Sequence, residues 1–206
     1  MKYLYAIYFI AVMLPVQFAE SRENELIRNI YDEELNKVGR YSYSYPAGSA
    51  SAIRETTSEK YSGIYALEIM LDFKDFSGTA IGIFPPVSLD ERRFSGTLEF
   101  WIKGSDGEEK ILVILIDSDA TGERKTETFV KLAKYIKMDR QWQKVMISVS
   151  DFPDIGQYWN GERMIHHPVD WSRITEVKFA VEPYYNPAVI KFYVDDIKFV
   201  KASGLL

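Results

Sequence analysis

The stretch Thr97-Leu98-Glu99-Phe100-Trp101-Ile102-Lys103 is the place to start, because Leu98, Phe100 and Ile102 fall on one face at a period of two. That is the pattern of a half-buried strand. Trp142 to Val149 repeats it, with Val145, Ile147 and Val149 in the same role. Ile111 to Ile116 is apolar on both faces, as expected of a strand in the middle of a sheet covered on each side. Outward from these lie further β-favouring runs: Ile64 to Phe73, Thr79 to Phe84, Lys110 to Asp117, Lys125 to Ala133, Ile174 to Val181 and Val189 to Val200. Turn chemistry such as Ser105-Asp106-Gly107 and Ala120-Thr121-Gly122 separates them. No stretch after Val38 reads as a long amphipathic helix. Many short strands without crossover helices predict an all-β fold, an antiparallel two-sheet β-sandwich of the jelly-roll kind.

Nearer the amino terminus the pattern is weaker. Glu23 to Val38 fits a short helix or an opening strand, and Tyr41 to Ala52, rich in Tyr, Ser, Gly and Ala, suits extended chain with turns. No repeat, low-complexity tract or linker divides Glu20 to Leu206, which is expected to be one domain. The whole chain has 206 residues, 47% of them hydrophobic and 27% charged, enough for a core that needs no disulfide staples. Cysteine is absent, so a lipid-anchored form is excluded, while compartment is left open. Twenty-five Lys plus Arg against 30 Asp plus Glu give a net charge of -5 without basic runs, which speaks against nucleic acid as a partner.

Residues 1–19 read as a signal peptide. Lys2 precedes an apolar run from Tyr3 to Val16, broken by Pro15, and Ala19 stands before the charged cluster Glu20 to Glu25. A bilayer span needs about 20 apolar residues, more than this run offers. Gln17 fits an A-x-A cleavage site poorly, and an uncleaved membrane anchor is the alternative; membrane is a partner only in that case. The expected location is secreted or in the cell envelope, outside the cytoplasm.

Asp195 and Asp196 interrupt the last apolar run, Phe192 to Phe199, although strands disfavour Asp. Strict alternation puts Asp195 on the face of Tyr193, Ile197 and Phe199. A carboxylate there must be paired, hydrogen-bonded or metal-bound, since burying it bare costs several kcal/mol. A hard cation such as calcium, taking oxygens from Asp195 and from Asp32-Glu33-Glu34, would satisfy it. An edge Asp in water or paired with a lysine is the plainer reading. Asp117-Ser118-Asp119-Ala120-Thr121-Gly122-Glu123 resembles the start of an EF-hand loop, but Thr128 stands where the closing Glu belongs, and a hairpin fits better. His166 and His167, adjacent before Pro168, would point to opposite sides of extended chain and are read as loop residues with no zinc spacing around them. No GxSxG elbow occurs, and no carboxylate pair is singled out for glycoside hydrolysis, so an enzyme is not expected.

The aromatic residues say more. Trp101 and Trp142 sit among apolar neighbours in strands and are expected in the core. Trp159 lies in Gly156-Gln157-Tyr158-Trp159-Asn160-Gly161, a loop by composition, and Tyr184-Tyr185 lie between Pro183 and Asn186-Pro187. Exposed rings beside polar groups are what a saccharide needs, because the apolar face of a pyranose stacks on a ring while its hydroxyls find hydrogen bonds nearby. Rings that close the ends of the sandwich are the alternative.

The order of Ile30-Tyr31-Asp32-Glu33-Glu34-Leu35, Ser62-Gly63-Ile64-Tyr65-Ala66-Leu67, Leu98-Glu99-Phe100-Trp101-Ile102-Lys103-Gly104, Trp142-Gln143-Lys144-Val145, Asp151-Phe152 and Tyr193-Val194-Asp195-Asp196-Ile197 resembles the calcium-containing jelly-roll carbohydrate-binding modules of cellulases and related glycanases. It is also similar to the domain of complex I intermediate-associated proteins, which shares the galactose-binding-like sandwich. The resemblance implies a structural calcium between the first segment and the last strand. Asp32 stands at the amino-terminal ligand position and Asp195 at the carboxy-terminal one, with Glu34 in reserve and backbone carbonyls of Tyr61 to Gly63 nearby. The expected function is non-catalytic binding of a polysaccharide or glycan through Tyr158, Trp159, Tyr184 and Tyr185. A protein-interaction or assembly domain without a sugar site, partnered by envelope proteins, is the alternative.

Overall fold

A computed structural model describes residues 25–35, 40–45, 51–72, 78–119, 121–122, 124–182 and 189–201. The expected leader, residues 1–19, and the pair Tyr184-Tyr185 lie outside them. Among the described residues thirteen strands form two antiparallel sheets. The six-stranded sheet runs β3 (Ala52–Thr56), β4 (Ala66–Asp72), β13 (Val189–Lys201), β6 (Gly96–Gly104), β9 (Gln143–Ser148), with β1 (Glu25–Tyr31) beside the far half of β13. The seven-stranded sheet runs β11 (Met164–Pro168), β10 (Ile155–Trp159), β8 (Glu127–Lys131), β7 (Ile111–Asp117), β12 (Ile174–Val181), β5 (Gly78–Val87), β2 (Arg40–Tyr45). At 13 residues, β13 is long enough to pair with β4 along one half and with β1 along the other, which makes it the spine of its sheet.

Period-two alternation builds the core. Leu98, Phe100 and Ile102 of β6 and Val145 and Ile147 of β9 point inward and meet Val113 and Leu115 of β7 and Val177 and Phe179 of β12. Phe179 bridges the layers, packing edge to face on Phe100 at 5.6 Å and on Phe192 at 6.0 Å. Such edge contacts add stabilisation beyond the area they bury. As expected of its doubly apolar run, β7 is buried along its whole length between β8 and β12. Its outward residues Leu112, Ile114 and Ile116 form a second small apolar cluster with Ala180.

Several local expectations change. The opening segment is a strand, β1, because its backbone completes the ladder of β13. The stretch around Trp159 is strand β10, paired residue for residue with β11, so His166 and His167 also sit in a strand and point to opposite faces. Asp195 does not share a face with Ile197 and Phe199. Asp196 adopts φ 50 and the register with β6 shifts between Asp195 and Lys198, a bulge that turns Asp195 outward with Tyr193 while Ile197 and Phe199 stay in the core. Asp tolerates this left-handed conformation better than most residues. Trp101 and Trp142 are half-buried rather than core, since Trp101 alternates out of phase with Phe100 and Ile102.

Candidate functional site

Two outward faces carry the chemistry, one on each sheet. On the seven-stranded sheet, register places Glu127, Phe129 and Lys131 of β8 on the same face as Ile116, Ile114 and Leu112 of β7, and these in turn beside Glu176, Lys178 and Ala180 of β12. The next strand, β5, adds only Gly82, Ala80 and Gly78, and positions 41, 43 and 45 of β2, all tyrosine, stand opposite those three. Gly78 leaves room for a neighbour: a Cβ there would fall 2.6 Å from Lys178 Cε. On the other flank Gln157 pairs with Glu127, so Trp159, two residues on, shares its face, with Met164 opposite it on β11.

Three Lys–Glu pairs cross the aliphatic strip of β7. Lys125 pairs with Glu176, Lys178 with Glu127 at 2.9 Å, and Lys131 with Glu182 at 3.0 Å. Long lysine stems cover apolar surface while their ammonium groups meet carboxylates, which keeps Ile114 and Ile116 buried on an outward face. Trp159 is 61% exposed at the edge of this belt, and Phe129 is also exposed. A ring open to water beside a charge-balanced row of donors and acceptors can hold a ligand that has both apolar faces and many hydroxyl groups.

On the six-stranded sheet the outward face is covered by the segment between β3 and β4. Asp195, 2% exposed, accepts hydrogen bonds from the backbone N–H of Tyr61 (3.0 Å), Ser62 (3.1 Å) and Asp196 (2.8 Å). Burial raises its pKa from the ordinary value, while these three amides pull it down. Glu33 accepts from the amides of Ile64 (2.7 Å) and Tyr65 (3.3 Å). Gly63, at φ 55, makes that approach possible, because a Cβ would fall 1.2 Å from Glu33 Oε1. Thus the backbone at Tyr61 and Ser62 offers Asp195 N–H groups.

Of the residues expected to hold calcium, Asp32 and Asp195 gather with Glu33 and Glu55 around the buried Tyr31, whose hydroxyl is held protonated first by burial and then by those four acids. Glu34 is exposed. Among the described residues no three His, Cys, Asp or Glu side chains are arranged to hold a metal. Two buried oxygens here, Asn29 Oδ1 and the Tyr31 hydroxyl, have no hydrogen-bond partner, so the donor set that fits a hard cation is Asp32 and Asp195 with these neutral oxygens.

Of the residues expected to touch sugar, Trp159 stands on the outer face of its sheet. Its neighbour Tyr158 turns to the opposite face and meets His167 edge-on, ring centroids 6.1 Å apart, so the two are not brought together. Phe129, Lys178, Glu127 and Glu176 were not foreseen. For Glu176 and Lys178 the signal is polar residues at every second place in an otherwise apolar strand, as in Glu176-Val177-Lys178-Phe179.

Comparison with known proteins agrees with this architecture. A chain carrying the family 30 carbohydrate-binding module of a cellulosomal cellulase of Clostridium thermocellum superposes with a TM-score of 0.66 at 18% identity, covering 85% of this chain and 98% of that one. A second family 30 module gives 0.66 at 17% identity, covering 86% and 89%. The Clostridium thermocellum family 11 module in complex with a β-1,3-1,4-mixed-linked tetrasaccharide gives 0.59 at 17% identity, covering 84% and 95%. Among curated proteins none matches. The model of the family described as carbohydrate binding domain 30 matches residues 29–201, nearly the whole sandwich, and the chain therefore belongs to that family of non-catalytic carbohydrate-binding modules.

Proposed function

We propose that the chain binds a polysaccharide or glycan on the outer face of the seven-stranded sheet, outside the cytoplasm. The observation that carries this reading is Trp159, open to water beside three Lys–Glu pairs. One pyranose stacks on its indole while neighbouring hydroxyls exchange hydrogen bonds with Gln157, Glu127 and Lys178. The face balances its charges, which suits a neutral chain. Tyr184 and Tyr185, outside the described residues, stay in the proposed contact set on their sequence context alone, and Tyr158 leaves it because it faces the other way. Binding is modest in strength, since hydroxyl-rich ligands offer few apolar atoms to bury.

The test is retention of the chain by insoluble cellulose and by mixed-linked β-glucan, with an α-linked glucan as control. Trp159→Ala is expected to weaken retention about tenfold or more, the effect of losing an aromatic anchor worth over about 1.4 kcal/mol, without moving the unfolding midpoint. Equal retention of both proteins overturns the Trp159 site. No retention by any glycan turns the reading to an assembly domain on the same sandwich.

Calcium belongs to the proposal with the amended donor set. Held by Asp32, Asp195, Asn29 and Tyr31, it would neutralise the acids around Tyr31 and tie β1 to β13. A ligand that binds only the folded chain must stabilise it, so calcium is expected to raise the unfolding midpoint and a chelator to reverse this. A midpoint indifferent to both removes the metal.

A further inference from the structure

The six-stranded sheet carries its own aromatic cluster, on the side of the sandwich away from Trp159. Tyr61 lies flat on Trp101, ring centroids 3.6 Å apart and planes at 14°, and Trp142 meets Tyr61 at 6.2 Å and 63°. The three rings make a corner, a stacked pair with one ring set across it. Tyr61 keeps 43% of its surface exposed although both tryptophans are half-buried. Anchoring the segment does not need this ring. The amides of Tyr61, Ser62, Ile64 and Tyr65 are already tied down by Asp195 and Glu33. Two ion pairs border the corner: Lys103 with Glu59 at 2.5 Å, and Lys144, register partner of Trp101, with Glu99 at 3.0 Å. Two cations and two anions cancel, so nothing in the rim selects a charged ligand.

We propose that Tyr61, Trp101 and Trp142, with Glu59, Lys103 and Lys144, form a second carbohydrate contact, which takes a neutral pyranose unit on the open face of Tyr61. Trp101 backs the phenol ring, so the platform stays flat when loaded. Glu59 accepts from sugar hydroxyls while Lys103 and Lys144 donate to them. The ligand class is that of the proposed function, but the residues are separate and lie on the opposite layer. A chain with two such faces can tie two glycan strands together.

The experiment is titration calorimetry of the full chain with the β-1,3-1,4-mixed-linked tetrasaccharide and with cellohexaose, run on wild type, Tyr61→Leu, Trp159→Ala and the double variant. Tyr61→Leu keeps an apolar cover over Trp101, and an unchanged unfolding midpoint certifies that the segment still folds. Two ligands bound per wild-type chain, one in each single variant and none in the double support the second contact. Loss of binding in Tyr61→Leu alone also supports it and overturns the Trp159 face instead. One ligand per chain, kept in Tyr61→Leu and lost in Trp159→Ala, overturns this proposal and leaves the proposed function standing. No binding of either oligosaccharide to wild type overturns both.

Discussion

Asp195 and Glu176 are both buried acids on outward faces, yet they are satisfied by different means. On the six-stranded sheet Asp195 meets three backbone amides, and on the seven-stranded sheet Glu176, 0% exposed, meets the ammonium group of Lys125, which is itself 44% exposed. A peptide N–H is fixed by the chain and has nowhere to go when its acceptor is removed. A lysine on a four-carbon stem can withdraw to water. The first face is therefore locked, the second adaptable, and a saccharide arriving on the second meets groups that can exchange one partner for another.

Removing the acids tests this asymmetry. Asp195→Ala is expected to have the largest effect, about 3 kcal/mol, because it strands three amides that had a charged acceptor and releases the segment at Tyr61 and Ser62. Thermal or urea unfolding in chelator isolates that loss from any metal. Glu176→Ala is expected to cost less, about 1–2 kcal/mol, since Lys125 can swing out to water when this acceptor is removed. High salt should narrow the second difference and leave the first unchanged, because amide–carboxylate bonds at a buried site are little screened. If Glu176→Ala proves as costly as Asp195→Ala, the lysine is not free to relax and the two faces are alike.

The same contrast marks what could be read from sequence. Alternation located the central strands, and Ile174 to Val181 matches the bounds of β12. It failed wherever a partner far along the chain supplies the structure. Gly156 to Gly161 carries Gly and Asn signals of a loop, and only the pairing of Ile155 to Trp159 with Met164 to Pro168 makes its first part a strand. Asp195 changes face because Asp196 inserts a bulge, and period-two reasoning assumes no extra residue. Trp159 was legible as an exposed ring because polar neighbours surround it in sequence. The Lys125–Glu176 pair was not, its members being 51 positions apart. Nor was the resting place of Tyr61 on Trp101, although Trp101 sits out of phase with the inward residues of its own strand.

Asp151 offers a third, intermediate case and the smallest effect. It accepts from the Tyr135 hydroxyl at 2.8 Å and faces Lys134 at 3.4 Å, so its partners are one neutral donor and one cation. Burial first, and then the hydrogen bond to Asp151, raise the Tyr135 pKa above its ordinary value of 10.0. The folded chain thus keeps this proton at a pH where the unfolded chain releases it. Below pH 10 both states are protonated and the group contributes no slope. As pH rises past 10 the unfolded state is favoured increasingly, and stability falls. Tyr135→Phe should cost under about 1 kcal/mol near neutrality, the net worth of one hydrogen bond, and should flatten the loss of stability above pH 10. Urea unfolding at pH 7 and at several points above pH 10 measures both. A slope unchanged in Tyr135→Phe would show that the hydroxyl is as free as an ion-paired lysine, and would move Asp151 from the intermediate position to the adaptable class.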